Sequence, residues 1–162
     1  MKYHLAQINV GRIKGLPDSE IMREFMEALD EINGIADESA GFVWRLQSDQ
    51  GNAMDIQAFD DPYIAVNMSV WEDVDSLFEY TYKSAHMGFV KRRKEWFEPY
   101  GKVHACLWWI EAGHIPTSAE AIERLDYLAE HGPTPYSFTF ARRFAPSDSE
   151  KTLLLHRLMD LS

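Results

Sequence analysis

The segment VHACLWWIEAG, residues 103–113, limits the folds open to this chain because its centre is apolar at both odd and even positions. Successive side chains of a strand point to opposite faces, so a strand of this kind lies in a sheet that is covered on both sides. The sequence therefore predicts a layered domain. Each face of its sheet would pack against helices or against a second copy of the chain.

Three other segments are predicted to be strands from their branched and aromatic residues and from the turn residues that flank them. They are residues 3–10, 41–47 and 65–71. Between the first two, Asp18 is expected to cap a helix that ends at Asn33 and Gly34. The apolar positions of this helix recur at spacings of three and four, at Ile21, Phe25, Leu29 and Ile32.

A second helix is expected to begin after Asp73 and, if it continues to Phe97, to contain about 25 residues over about 37 Å. A third helix has Thr117 and Glu120 in the spacing of a capping box and should end at Gly132. Residues 136–144 are predicted to form a last strand with its aromatic side chains on one side. The Leu-rich tail that follows is predicted to contain a short helix.

The elements follow the order β-α-β-β-α-β, with a further helix and strand at the carboxyl end. This order predicts an α+β fold of the ferredoxin-like type with an antiparallel sheet. We expect one domain over residues 1–162, made of a core at 1–113 and an extension at 114–162. Because the strands are apolar on both sides and the helices cover one face, we also expect a homodimer whose second copy covers the other face.

Composition argues against several classes of partner. The net charge of −10 disfavours nucleic acid and anionic membrane surfaces, since both are negatively charged. Cys106 is the single cysteine, which excludes an intrachain disulfide and a multi-cysteine metal site. The histidines have no compact metal-binding spacing, and no apolar run approaches the roughly 20 residues that span a bilayer. We therefore expect a cytoplasmic protein without a metal site.

Asn67, Ser69 and Trp71 fall on one face of the strand at 65–71, opposite the apolar residues between them. A core face does not favour an asparagine, so Asn67 faces either a partly polar cavity or a neighbouring loop. On a continuous second helix, His86 and Arg93 lie within the apolar stripe. His86 is then a satisfied core histidine or a pocket residue. The interpretation we favour for Arg93 is an internal salt bridge; the alternative is a cavity that holds an anion.

The chain resembles a bacterial family known as domain of unknown function 3291, one of the dimeric α+β barrels. The resemblance runs nearly from end to end, and only the tail SEKTLLLHRLMDLS departs from it. It rests on the segments YHLAQINV, INGIADESAGFVWRLQ, VNMSVWED, HMGFVKRRKEWF and LWWIEAGHIPTSAEAIERLDYLAEHGPTPYSFTF. The resemblance implies a ferredoxin-like dimer and brings no established activity.

Relatives in the wider superfamily suggest roles for three of these residues. Cofactor-free monooxygenases of antibiotic biosynthesis carry an Asn and a Trp four residues apart, and Asn67 and Trp71 are similar to that pair. Haem-degrading members carry an axial histidine on the next helix. His86 is similar in position, although it lies farther beyond the Trp.

The leading hypothesis is a cofactor-free, monooxygenase-like oxidation of an aromatic or polyketide-like small molecule. Asn67 and Trp71 would orient the substrate and polarise an oxyanion, and His86 would move a proton. Tyr82 and Arg93 would hold a polar substituent. Phe89 and Trp44 are further candidate substrate contacts. One alternative is a haem protein with His86 as ligand; another is a non-catalytic, dimeric ligand-binding module that lacks an open cavity.

Overall fold

Helices and strands alternate along the part of the chain that the computed structural model describes, which comprises residues 2–48, 51–54, 56–84 and 86–148. In chain order, the elements are β1 (Tyr3–Ile13), α1 (Arg23–Asp37), β2 (Phe42–Arg45), β3 (Ile64–Trp71), α2 (Val74–Lys83), α3 (His86–Lys91), β4 (Phe97–Glu98), β5 (Ala105–Glu111) and α4 (Ser118–His131). Short 3-10 helices occupy Glu20–Met22 and Arg93–Glu95. Within these described ranges, no helix is long and apolar enough to cross a membrane.

The strands form one antiparallel sheet with β1 at its centre. On one side β1 pairs with β3, which pairs with β2. On the other side β1 pairs with both β5 and the short β4. This strand order, reached through β-α-β-β-α-β connections, is that of a ferredoxin-like fold. The predicted fold class, α+β of the ferredoxin-like type with an antiparallel sheet, is therefore confirmed.

The pairing of β1 with β3 sorts the side chains onto two faces. Gln7 lies opposite Ser69 and Asn9 opposite Asn67, so these residues share the face that is covered by α1 and α2; we call it the helix face. Ile8 lies opposite Met68 on the reverse side, which packs against α4; we call it the α4 face.

The α4 face is covered by elements of the same chain. Ala121, Leu125 and Leu128 of α4 pack into its central cluster, and Leu46 and Phe59 of the segment between β2 and β3 pack against the same cluster. Burial on both sides of the sheet, which led us to expect a second copy, is thus explained within one chain. The homodimer remains a prediction, and a partner would have to bind elsewhere or displace α4.

The predicted long helix from Asp73 to Phe97 is wrong, although its N-cap is right. The Asp73 carboxylate accepts a hydrogen bond from the Ser76 amide at 2.7 Å. Ser84 then leaves the helical conformation, with a ψ of 177°, and its hydroxyl donates to the carbonyl of Tyr80. A serine bonded to the preceding turn competes with the helical ladder, so α2 ends there. His86 and Arg93 consequently lie on two separate helical segments rather than on one face.

Two other boundaries also differ from expectation. α1 begins at Arg23 and not after Asp18, and it continues past Gly34 to Asp37 because Ala36 is buried against the sheet. Glycine inside a helix costs about 1 kcal/mol, an amount that such burial outweighs.

At the carboxyl end, the predicted third helix is confirmed and the predicted last strand is not. The Thr117 hydroxyl accepts from the Glu120 amide at 3.1 Å, and Gly132 ends α4. In place of the strand at 136–144, a single antiparallel bridge joins Phe138 to Leu107. The helix predicted for the tail lies mostly beyond residue 148, outside the described residues.

Replacing Leu125 by Ala should test the cover of the α4 face. Leu125 is 5% exposed within the central cluster, so the change removes buried contacts and leaves a cavity that costs about 2–5 kcal/mol of unfolding free energy. Ile115→Ala is the control, because Ile115 is 59% exposed and should lose less than about 0.5 kcal/mol. Equal losses in chemical denaturation would contradict the assignment of α4 to the core.

Candidate functional site

A cavity of about 700 Å³ lies between the helix face of the sheet and the helices α1, α2 and α3. Its walls are mainly aromatic and aliphatic. They include Phe25, Leu29, Ile32, Leu77, Phe89, Trp96, Phe97 and Phe140. A cavity of this size, with apolar walls and few polar groups, has the character of a site for a small organic molecule.

Three amide side chains form the polar floor of this cavity; we call Gln7, Asn9 and Asn67 the amide row. Gln7 Nε2 donates to Asn67 Oδ1 at 2.8 Å, and Asn9 Nδ2 donates to the same oxygen at 3.1 Å. Asn9 Nδ2 also donates to Gln7 Oε1 at 3.2 Å. Since Asn9 and Asn67 are exposed to the cavity while Gln7 is buried, the row presents two amides to a ligand and anchors them with the third.

The amide row continues into the protein through Ser69. Gln7 Nε2 donates to Ser69 Oγ at 2.7 Å, and the indole of Trp71 donates to the same oxygen at 2.8 Å. Trp71 is fully buried and stacks on Tyr80 with ring centroids 5.1 Å apart. Its one polar group is therefore used inside the core, and Trp71 supports the floor from behind.

One end of the cavity depends on Gly11. A Cβ atom at this position would lie 2.7 Å from a ring carbon of Phe97, so the absent side chain allows the ring to lie against β1. The Arg93 guanidinium in turn lies over the Phe97 ring, 5.7 Å from its centroid. Phe97 is thus fixed between the strand and the cation.

Arg93 lines the cavity and makes no ion pair with a described residue. The salt bridge that we expected for it belongs to its neighbour, because the Arg92 guanidinium pairs with Glu24 and Glu95. Among the described lining residues, Arg93 carries the only permanent charge, and no aspartate or glutamate accompanies it. In a chain of net charge −10, this is a locally positive site.

The predicted site residues separate into two groups. Asn67, Tyr82, Phe89 and Arg93 all line the cavity. Trp44 does not, since it lies opposite Val70 and packs on the α4 face, and Trp71 is buried behind the floor. The side chain of His86 lies outside the described part of the chain, so its predicted roles stay predictions.

Sequence reasoning missed Gln7 and Asn9, although a signal was present. Both are polar residues at alternate positions of a strand that is otherwise largely apolar, on the same side as Asn67. His104, which also lines the cavity, had no comparable signal. Thr139–Ala141 also had no such signal, because these residues line the cavity only when the carboxy-terminal segment folds back along β5. Within the described ranges, no group of three metal-ligating side chains occurs.

Two weakly acidic groups at the sheet have displaced pKa values. Burial raises the pKa of the Tyr80 phenol to about 12, and burial also raises the pKa of the Cys106 thiol to about 12. Both groups are therefore neutral near pH 7 and act as packing residues. Neither is suited to serve as a base or nucleophile there.

Ser69→Ala should destabilise the protein because it removes the acceptor of the buried Trp71 N–H group. We expect a loss of about 1–3 kcal/mol in unfolding free energy, measured by chemical denaturation. Ser137→Ala is a matched control: Ser137 is also buried, but its hydroxyl has no hydrogen-bond partner among the described residues. A loss in the control as large as that in Ser69→Ala would contradict the structural role of the Ser69 hydrogen bonds.

Stability should fall at high pH because of Tyr80. Its folded-state pKa of about 12 exceeds the ordinary value of 10.0, so the folded state holds this proton more tightly. The unfolding free energy should therefore decrease as the pH rises from about 10 to about 12, by on the order of 2 kcal/mol. Tyr80→Phe should reduce the decrease, while Tyr63→Phe, at a 40% exposed position, should leave it unchanged. Parallel curves for all three proteins would contradict the assignment.

The fold and the cavity together define a ferredoxin-like α+β protein with a small-molecule-sized site between sheet and helices. The chain belongs to the family described as Domain of unknown function (DUF3291), which matches residues 4–154. The family predicted from the sequence is thus confirmed. No curated protein matches the chain.

Several solved structures are similar to parts of the chain. SnoaB of Streptomyces nogalater, a cofactor-independent oxygenase, is 15% identical, with 69% of this chain and 95% of that chain covered and a TM-score of 0.43. A dabb family protein of Mesorhizobium loti with a ferredoxin-like fold is 16% identical, with coverages of 72% and 99% and a TM-score of 0.42. Similarities at this level do not identify a reaction for the present chain.

Proposed function

We propose that this protein binds a flat aromatic or polyketide-like molecule in the cavity and oxidises it with dioxygen in a monooxygenase-like reaction. The observation that carries the proposal is the combination of apolar walls with an amide floor and one cation, Arg93, which forms no ion pair with a described residue. Apolar walls favour a ring system, and the polar groups would fix its orientation.

The proposed reaction needs an electron-rich substrate, because the substrate itself supplies the electrons. A CH₂ group activated by a carbonyl, either next to it or conjugated with it through an aromatic ring, loses a proton to a base, and the resulting enolate carbon transfers electrons to O₂ and forms a C–O bond. Protonation gives a hydroperoxide, R₂CHOOH, whose O–O bond breaks as the remaining C–H proton leaves. The products are R₂C=O and H₂O, so the CH₂ carbon is oxidised and both oxygen atoms are accounted for.

The cavity residues would stabilise negative charge on the substrate and hold the substrate in position. An N–H group of the Asn9–Asn67 pair would donate to the enolate oxygen, and Arg93 would stabilise negative charge toward the other end of the substrate. Stabilisation of this kind is strongest in a cavity from which water is excluded, and the aromatic walls favour that exclusion. The proton acceptor would be a histidine, either His104 on the cavity wall or His86, for which the role remains a prediction.

Anthrone is a suitable probe because it is flat and has a carbonyl-activated CH₂ group. The measurement is oxygen consumption together with anthraquinone formation above the uncatalysed rate. We expect Asn67→Asp to lower kcat/KM about 100-fold, as the loss of one oxyanion donor does in other enzymes. Ala105→Phe should abolish turnover, because Ala105 lies beside Asn9 and lines the cavity, which the ring would fill.

Gln57→Leu is the control variant, because Gln57 is exposed and is not a residue of the cavity wall, and its side-chain partner among the described residues is the Asp60 carbonyl. His86→Ala and His104→Ala separate the two candidate bases, and the variant with the lower rate identifies the proton acceptor. Equal anthrone oxidation by wild-type protein and Ala105→Phe would refute a reaction in this cavity.

Two alternative functions were also predicted from the sequence. A haem protein depends on His86, and an added haem whose Soret band is the same in wild-type protein and His86→Ala would exclude it as ligand. A non-catalytic ligand-binding module was expected to lack an open cavity, and the cavity argues against that form. It would be favoured instead if ligands bind and neither anthrone nor a related ketone is oxidised.

A further inference from the structure

The hydrogen bonds of the amide row leave a defined pair of polar atoms facing the cavity. Asn67 Oδ1 accepts from both Gln7 and Asn9, whereas Asn67 Nδ2 has no partner among the described residues. Asn9 Nδ2 is likewise used twice, which leaves Asn9 Oδ1 without a partner in the described part of the chain. The cavity therefore meets a donor at Asn67 and an acceptor at Asn9, on side chains that touch each other.

The row has one other consistent arrangement, in which all three amides are turned over together. An amide oxygen and an amide nitrogen have nearly the same shape, so each contact distance is kept. Asn67 Nδ2 then donates to Gln7 and Asn9, and Gln7 Nε2 donates to Asn9 Oδ1. Turning over one amide alone would place two oxygens or two nitrogens in contact, so the three must turn as a unit.

Ser69 is compatible with both arrangements, and this makes the row reversible. Its oxygen accepts from the Trp71 indole in each case. In the first arrangement it also accepts from Gln7 Nε2 at 2.7 Å; in the second its hydroxyl donates across the same contact to Gln7 Oε1. A hydroxyl group can do either, whereas a side chain with only acceptors or only donors would fix one arrangement.

Both arrangements present the same kind of surface to the cavity. One of the two exposed amides offers a donor and its neighbour an acceptor, and only their places are exchanged. The geometry points to a ligand that carries a hydrogen-bond donor and an acceptor side by side on one edge of a flat, largely apolar ring system. A lactam, or the hydroxy-carbonyl edge of an enolised ketone, has this chemistry.

This inference narrows the substrate class of the proposed function. It rests on the proposed function because both place the ligand in the same cavity. It also explains why a reversible row is useful. When a hydroxy-carbonyl group tautomerises, its donor and acceptor exchange places, and a row that turns over as a unit can follow that exchange. A fixed pair of polar groups would bind only one tautomer, since mismatched buried polar groups are costly.

Three neutral probes of nearly equal shape test the inference by fluorescence titration. In 2-quinolone an N–H donor lies beside a carbonyl acceptor. Coumarin replaces the N–H group by an oxygen atom, and N-methyl-2-quinolone replaces it by N–CH₃. Wild-type protein should bind 2-quinolone about tenfold more tightly than either analogue, which corresponds to one hydrogen bond of about 1.4 kcal/mol.

The variants show whether the amide row is the source of this preference. Asn67→Leu and Asn9→Leu should each bind the three probes with equal affinity. Asn67→Asp should weaken all three at least tenfold, because a carboxylate holds the row in the first arrangement and presents only acceptors to the ligand carbonyl. Gln57→Leu should retain the wild-type preference. Circular dichroism and thermal midpoints establish that each variant is folded. If a leucine variant does not fold, Asn67→Asp still tests the inference.

The outcomes distinguish this inference from the proposed function. Equal binding of the three probes by wild-type protein, a preference that survives in both leucine variants, or an undiminished affinity of Asn67→Asp for the probes overturns the inference and leaves ligand binding in the cavity intact. A preference that depends on the amide row, without oxidation of anthrone, supports the inference and refutes the proposed oxidation. Failure of the three probes to bind overturns the inference, and absence of anthrone oxidation in addition overturns the proposed function.

Discussion

The antiparallel register between β1 and β3 is the constraint on which the rest of the structure depends. It places Asn9 beside Asn67 and Gln7 beside Ser69, and it simultaneously places Ile8 beside Met68 on the opposite face. Because side chains alternate with a period of two, a shift of one residue would exchange the two sets. The amides would then face α4, and the apolar residues would face the cavity. One pairing thus defines both the core and the floor of the site.

The second half of the cavity results from competition between helix formation and the edge of the sheet. The sequence from Asp73 to Phe97 has an apolar repeat typical of one long helix. Ser84 nevertheless ends α2, and the chain reaches the sheet edge, where Phe97 pairs with Ile13. The ring of Phe97 lies against Gly11 and beneath Arg93. The local Ser84 hydrogen bond and tertiary packing at the sheet edge together override the helical repeat where they position the cation and one aromatic wall.

The polar groups of the site are unusual because nearly all of them are uncharged. Three amides, a serine and an indole form a connected network that contains no carboxylate, and the only permanent charge among the described lining residues is a cation. Neutral amides bind by direction and by donor–acceptor order, whereas a cation attracts charge over a longer range. The amides at the floor would orient one part of a ligand, and Arg93 would stabilise negative charge on the other part.

The sequence by itself determined the elements whose patterns are local. The strand character of β1, β3 and β5, the caps at Asp73 and Thr117, and the polar face of Asn67 were all visible in short segments, because their causes lie within a few residues. Only the tertiary structure decided which face Trp44 occupies, that Trp71 bonds to Ser69, and that α4 covers the reverse side of the sheet. These features arise from contacts between residues far apart in the chain. For that reason, Gln7 and Asn9 became functional candidates only when strand pairing placed them beside Asn67.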